Sequence, residues 1–414
     1  MGLLIKNIKE LIQVEEEPVL YRAGKDMGIL HTIKDAWLQM EGDIIVDFGK
    51  MDTFSPQSQD TVIDAEGGMV FPSFCDSHTH LVYRGSREIE YIDKIKGLSY
   101  EEIAKRGGGI LNTAKRIHES SEDELFDESL QRLEEIKHYG TGAVEIKSGY
   151  GLTLEDELKM LRVIKSLKQE SELTIKSTFL AAHAVPLEYR GRQSVYVDMI
   201  INEMIPRVGE EKLAEFIDVF CDKGFFTVEE TDRILNAAKK YELIPKIHAN
   251  ELDYSGGIQI GVQNNALSVD HLEYTGDDEI KILLNSSTMP TLLPGAAFFL
   301  GMVYAPARKM INAGLPLAMA SDFNPGSSPS GNMQFILSMG CIKYKMLPEE
   351  AINAVTINSA YAMGCSKTHG SIAKNKKANV FITKPIPTCE FMPYAYGSNK
   401  VKTVILNGKL MVND

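Results

Sequence analysis

The chain has 414 residues, enough for about two to four domains and a large buried core. Hydrophobic residues make up 44% and charged residues 24%, ordinary globular values that exclude wholesale disorder. With 44 Lys+Arg against 57 Asp+Glu the net charge is −13, which argues against a nucleic-acid groove or an anionic membrane as partner; an anionic small substrate would need local basic residues.

In chain order, Met1-Gly2-Leu3-Leu4-Ile5-Lys6 has neither the apolar core of a signal peptide nor the Ser/Thr of a myristoylation site. Residues 36–40 turn at Glu41-Gly42 into 43–47, and more β-like sequence follows at 61–64. The far end matches, with a strand at 379–383 and two more, 402–406 and 409–412, flanking the hairpin signal Asn407-Gly408. Residues 1–66 and 366–414 are therefore expected to form one small β-sandwich domain from both termini. Between them, short apolar runs at 69–75, 142–146, 175–182, 216–221, 244–247, 267–270, 288–293 and 315–320 alternate with amphipathic stretches such as Glu122–His138, Glu155–Lys168 and Val228–Tyr241. Such alternation predicts an α/β fold, a (β/α)8 TIM-like barrel over residues 67–365. An open doubly wound sheet would want a Gly-rich nucleotide turn after its first strand, and the sequence has none. The uncharged run between Lys281 and Arg308 is long enough to span a bilayer, but Pro290, Pro294 and Pro306 break it, so it reads as buried barrel core. Cys75, Cys221, Cys341, Cys365 and Cys389 are scattered and include no CxxC, which suits a reducing cytoplasm and suggests neither a disulfide scaffold nor a cysteine zinc module.

Chemically loaded residues cluster at the ends of these expected strands, on the catalytic face of such a barrel. After the first comes Asp76-Ser77-His78-Thr79-His80, where histidines two apart on an extended chain point to one side and can share a metal. The fifth ends in His248-Ala249-Asn250-Glu251: a third imidazole, then a carboxylate suited to proton transfer, although Asn250 and Glu251 would equally serve a helix start. The sixth ends in Asp270-His271-Leu272-Glu273 and the eighth in Ser321-Asp322-Phe323-Asn324-Pro325-Gly326, where a buried Asp is costly unless paired or metal-bound. Singly, each is more readily structural. Together, four strand ends supply a His pair, a His, another His and an Asp in barrel order.

That order resembles the amidohydrolase superfamily. The resemblance sharpens to the imidazolonepropionase family of histidine degradation on Gly85-Ser86-Arg87-Glu88, the loop segment Gly107-Gly108-Gly109-Ile110-Leu111, Glu145-Ile146-Lys147-Ser148-Gly149-Tyr150-Gly151, Thr178–Pro186 and Ser321–Pro329. It implies His78, His80, His248 and Asp322 as ligands of one divalent or trivalent metal per chain, zinc or iron. It implies Glu251 as general acid/base and His271 beside the reacting water, with Arg87, Tyr150, His183, Glu251, Asn324, Gly326 and Ser327 contacting substrate or product. The implied reaction is hydrolysis of the small molecule 4-imidazolone-5-propanoate to N-formimidoyl-L-glutamate, in a homodimer with no nucleic-acid or membrane partner. Arg87 would suit the propionate, since a guanidinium binds a carboxylate in bidentate fashion; a salt bridge with Glu88 or Glu90 is the competing reading. Tyr150 alone would more often be packing. Binuclear relatives use a modified lysine at the end of strand 4, where this chain has Cys221-Asp222-Lys223, but the remaining set implies one metal. Two other functions compete: another mononuclear amidohydrolase such as a heterocycle deaminase, which needs no carboxylate clamp, and a non-catalytic barrel, which would typically lose metal ligands.

Overall fold

Period-two patterning at the ends and strand–helix alternation in the middle produce two eight-stranded sheets in the computed structural model, which describes residues 2–54, 61–98 and 108–411. Gly107 of the glycine run lies outside the described residues. The first sheet joins β1 (Gly2–Ile12), β2 (Thr32–Glu41), β3 (Ile44–Lys50), β4 (Thr61–Asp64) and β5 (Val70–Pro72) to three strands from the other terminus. Alternate residues of its strands serve two cores. Val70, Val380, Ile382 and Ile405 pack with Ile5 and Leu38 in the sheet's own core. Their neighbours Phe71, Phe381, Val404 and Leu406 point the other way, into the large core of the barrel.

The barrel consists of β6 (Phe74–Thr79), β7 (Thr141–Lys147), β8 (Thr174–Ala182), β9 (Phe216–Cys221), β10 (Ile244–Ala249), β11 (Ser268–His271), β12 (Met289–Leu292) and β13 (Ala318–Met319), each parallel to the next. It closes between β6 and β13 through a bridge from Thr79 to Phe323. Asp322 donates its N–H to the His78 carbonyl (3.0 Å), and His80 donates to that of Phe323 (2.9 Å). Asp76 fastens the seam by accepting the Ser321 N–H at 2.9 Å and the Ser321 hydroxyl. The chain then returns to the first sheet as β14 (Val380–Thr383), β15 (Val401–Leu406) and β16 (Lys409–Met411). Asn407 (φ 51°) and Gly408 (φ 69°) both take the positive φ that a two-residue hairpin turn requires.

The apolar run 69–75 is two elements, not one strand. Residues 70–72 pair with β14 and β1, and the chain crosses into the barrel at Ser73. An apolar run cannot reveal such a break, because both sheets bury these residues on both faces. Helix starts follow their caps: Ser121 with Glu124 opens Glu122–His138, and Thr227 with Glu230 opens Val228–Ala238, each as a reciprocal capping box. The uncharged run becomes β12 and the helix Pro294–Leu300, with Phe298 and Val303 about half exposed (51% and 54%), so only part of it is core. Among the described residues, no helix is long and apolar enough to cross a membrane.

Candidate metal centre and active site

His78 lies within β6 and His80 immediately after it, so the period of two turns both rings toward the barrel mouth. His248 enters from β10, and Asp322 from the turn after β13. The Nε2 of His80 lies 3.3 Å from that of His78 and 3.3 Å from that of His248. Asp322 Oδ1 sits 3.6 Å from His78 Nε2 and 3.7 Å from His80 Nε2. Donors bound about 2.0–2.2 Å from one ion at tetrahedral angles would stand roughly 3.3–3.6 Å apart, close to the spacing of His78, His80 and Asp322, with His248 beside His80.

The other ring nitrogens explain why these faces are donors. His78 Nδ1 contacts Asp270 Oδ2 at 2.6 Å, and His248 Nδ1 lies 3.0 Å from Asp218 Oδ2. A carboxylate at Nδ1 holds the proton there and leaves a lone pair on Nε2. Lone pairs converging at 3.3 Å repel unless a cation stands among them. Burial pushes His78 and His80 well below the usual imidazole range, keeping them neutral as ligation requires. Two overlapping groups share the region: nitrogens of His78, His248 and His271 fall within 4.8 Å of one another, as do those of His80, His183 and His248. In His183, Nδ1 is already committed to the Gly149 carbonyl at 3.0 Å.

Beneath this centre lies an ionic array with no exposed side chain. Lys147 Nζ reaches Glu145 at 2.6 Å, Asp218 at 2.8 Å and Asp270 at 3.8 Å. Lys246 pairs with Glu145 and also donates to the Ser77 carbonyl at 3.0 Å. Burial alone would lower the Lys147 pKa, but Asp218, Glu145 and Asp270 outweigh it and hold the ammonium above its usual range. Sequence reasoning missed this array. The available signal was ionisable residues two apart, Glu145 with Lys147 and Lys246 with His248, in strands otherwise apolar enough to be buried.

Above the donors opens a cavity of about 850 Å3. Glu251 stands on its wall with Oε2 3.7 Å from His271 Nδ1, and Glu273 approaches the same nitrogen to 3.9 Å. Burial, followed by the charges of Asp322 and Asp222, pushes the Glu251 carboxyl up to about 8. Burial likewise raises Asp322, to about 7. His271 (φ 85°), Leu272 (φ 71°) and Asp322 (φ 53°) take left-handed backbone, a strain of about 1–3 kcal/mol each; His271 and Asp322 line the cavity while Leu272 packs into the core.

The remaining expected residues meet on the same cavity. Tyr150 and His183 flank His80, the two imidazole rings stacking at 5.0 Å and 15°. Arg87 donates from Nε and Nη2 to Glu90 Oε2 at 2.9 and 2.6 Å, the salt bridge that competed with the anion reading. Asn324 is engaged within its own loop: Oδ1 accepts from the Gly326 and Ser327 N–H groups at 2.8 Å each, while Nδ2 donates to Ser327 Oγ at 2.7 Å. The Gly326 N–H is therefore occupied by Asn324, not open to the cavity. Lys223 stands apart on the surface, paired with Asp253 at 2.7 Å, and Cys221 is buried.

Comparison with known proteins matches residues 69–411 to the Amidohydrolase family. The chain is 56% identical to the imidazolonepropionase of Christiangramia forsetii over 99% of its own length and 100% of that protein. It is 54% identical to the imidazolonepropionase of Flavobacterium johnsoniae, covering 99% of each. Among solved structures, the atrazine chlorohydrolase TrzN of Arthrobacter aurescens complexed with zinc superposes with a TM-score of 0.71 at 15% identity, over 99% of this chain and 95% of that one.

Proposed function

The chain belongs to the imidazolonepropionase family of amidohydrolases, and we propose that it opens 4-imidazolone-5-propanoate to N-formimidoyl-L-glutamate with the residue roles that follow. The observation that carries the assignment is the convergence of His78, His80, His248 and Asp322 beneath a cavity whose wall presents Glu251. Those four residues would hold one divalent ion, zinc or iron, since imidazole and carboxylate donors suit both. Such an ion supplies Lewis acidity, which polarises the ring carbonyl and acidifies a water molecule.

The chain's own residues perform the proton work. Glu251, basic enough to accept a proton near neutrality, takes one from the attacking water as the C4–O bond forms. It then delivers that proton to the ring nitrogen as the C4–N bond breaks. His271, kept neutral by burial, offers a ring N–H to the carbonyl oxygen as negative charge develops there. With Nδ1 bound to the Gly149 carbonyl, His183 turns an Nε2 lone pair toward a substrate ring N–H. Tyr150 closes the same side, and the Asn324–Gly326–Ser327 loop shapes the opposite wall. Arg87 keeps Nη1 without a hydrogen-bond acceptor among the described residues, so it can bind an anion while Glu90 fixes its orientation.

The test is a coupled assay. A urocanase supplies fresh substrate from urocanate, and formimidoylglutamate is followed with and without a chelator. Chelator-sensitive product is expected; absence of product from metal-loaded protein would refute the assignment.

A further inference from the structure

The substrate proposed above carries a carboxylate, and the inference drawn here rests on that reading. Charge bookkeeping at the cavity wall raises the question of what balances this anion. Arg87 is matched by Glu90, whose carboxylate also accepts from the Gly109 N–H at 3.0 Å, so the pair contributes no net charge. The helix Glu88–Ile95 places a second cation on the same side. Arg87, Tyr91 and Lys94 stand at i, i+4 and i+7, one face of the helix, and all three line the cavity. Tyr91 is fixed there by stacking on Phe299 at 5.1 Å.

Lys94 is partly buried and donates to the Gly326 carbonyl at 3.3 Å, a long contact. No carboxylate lies within ion-pair distance of its ammonium among the described residues. Burial first and the Arg87 charge second hold it below the usual lysine range, with Glu90 only partly offsetting them. A desolvated cation beside a like charge is unfavourable unless an anion shares the space. Arg87 Nη1 approaches the same point: a Cβ on Gly326 would come within 2.3 Å of it. Gly326 thus lets two cations close on one spot, at the wall where the loop after β13 meets this helix.

We propose that Lys94 is a specificity-determining residue that, with Arg87 Nη1, binds the substrate's propionate carboxylate. In this division Lys94 supplies a positive charge that no carboxylate pairs with among the described residues, and Arg87 supplies direction. A capping role for Lys94 at the Gly326 carbonyl would instead stabilise the loop without distinguishing charged from neutral ligands.

The test is calorimetric binding of two stable probes, imidazole-4-propanoate and imidazole-4-propanamide, to the metal-loaded wild type and to Lys94→Met and Lys94→Arg. Wild type should prefer the acid over the amide by roughly 10- to 100-fold, the worth of one charge-assisted hydrogen bond. Lys94→Met should lose most of that preference by weakening acid binding alone, and Lys94→Arg should restore part of it. In turnover, Lys94→Met should raise KM more than it changes kcat. An acid preference retained in Lys94→Met, equal weakening of both probes, or no preference in the wild type would each overturn the proposal. Failure of the parent assignment reads differently: it is absence of formimidoylglutamate from the wild type, whatever the probes show.

Discussion

Asp270→Asn tests the idea that buried carboxylates prepare the metal ligands. The contact it alters, His78 Nδ1 to Asp270 Oδ2, is 2.6 Å long with both side chains fully buried. A hydrogen bond to a charged group is worth about 1.5–3 kcal/mol. Asparagine keeps an oxygen that can accept, but its NH2 group must then meet the Ser268 hydroxyl, which Asp270 Oδ1 now binds at 2.6 Å. Lys147, 3.8 Å away, and Lys246, 4.0 Å away, also lose a counter-charge. The metal should therefore bind about 10- to 100-fold more weakly, which is roughly 1.4–2.7 kcal/mol and lies inside the range for the lost bond. The assay is zinc titration of the apoprotein against a chromophoric chelator, with a circular dichroism melt confirming that the variant is folded. Wild-type affinity in a folded Asp270→Asn protein would refute the reasoning.

Glu251→Gln keeps the size of the side chain but removes the base, so metal content should stay normal while kcat falls about 10²- to 10⁴-fold; near-normal turnover would take Glu251 out of the mechanism. Phe381 is fully buried, stacks on Phe71 at 5.3 Å and contacts Phe74 at 4.9 Å across the sheet–barrel boundary. Phe381→Ala should cost about 3–5 kcal/mol in urea unfolding, and a loss under about 1 kcal/mol would mean the two layers are not coupled there. Glu215 accepts from the Ser177 N–H (2.9 Å) and hydroxyl (2.7 Å). Although burial opposes ionisation, its bond to Lys168 and those to Ser177 prevail and hold it below its ordinary 4.5. A depressed carboxyl stabilises the fold above its unfolded pKa and loses that contribution as pH falls through the folded value. The wild type's advantage over Glu215→Gln in thermal melts should thus be full at pH 6 and shrink below about pH 4.5; an advantage independent of pH would contradict this.

The parts of the fold legible in the sequence were those with a local cause. Asn407-Gly408 demanded a tight hairpin, the amphipathic stretch Glu122–His138 announced a helix, and alternating apolar runs announced the barrel. That His78, His80, His248, His271 and Asp322 meet was legible too, because strand ends in a closed barrel face one mouth; which of them hold a metal was only implied by the family resemblance. What escaped depends on contacts distant in sequence. Nothing in residues 69–75 marks the crossing at Ser73 between two sheets. The pairing of Asp76 with Ser321 spans the barrel seam, and the Lys147 array joins four strands. Arg87 shows the limit most clearly: sequence offered an ion pair or an anion clamp, and the structure shows the ion pair with Glu90 while leaving the clamp a proposal.

Hydrolysis at the ring carbonyl leaves both ring nitrogens in the product. Its most direct measurement is turnover in 18O-enriched water with mass analysis of the product, corrected for the enzyme-free reaction. Cleavage of the C4–N bond by water predicts one 18O in the α-carboxylate of formimidoylglutamate, none in the γ-carboxylate, and no ammonia. Release of ammonia, or unlabelled product, would rule out hydrolysis at the ring carbonyl.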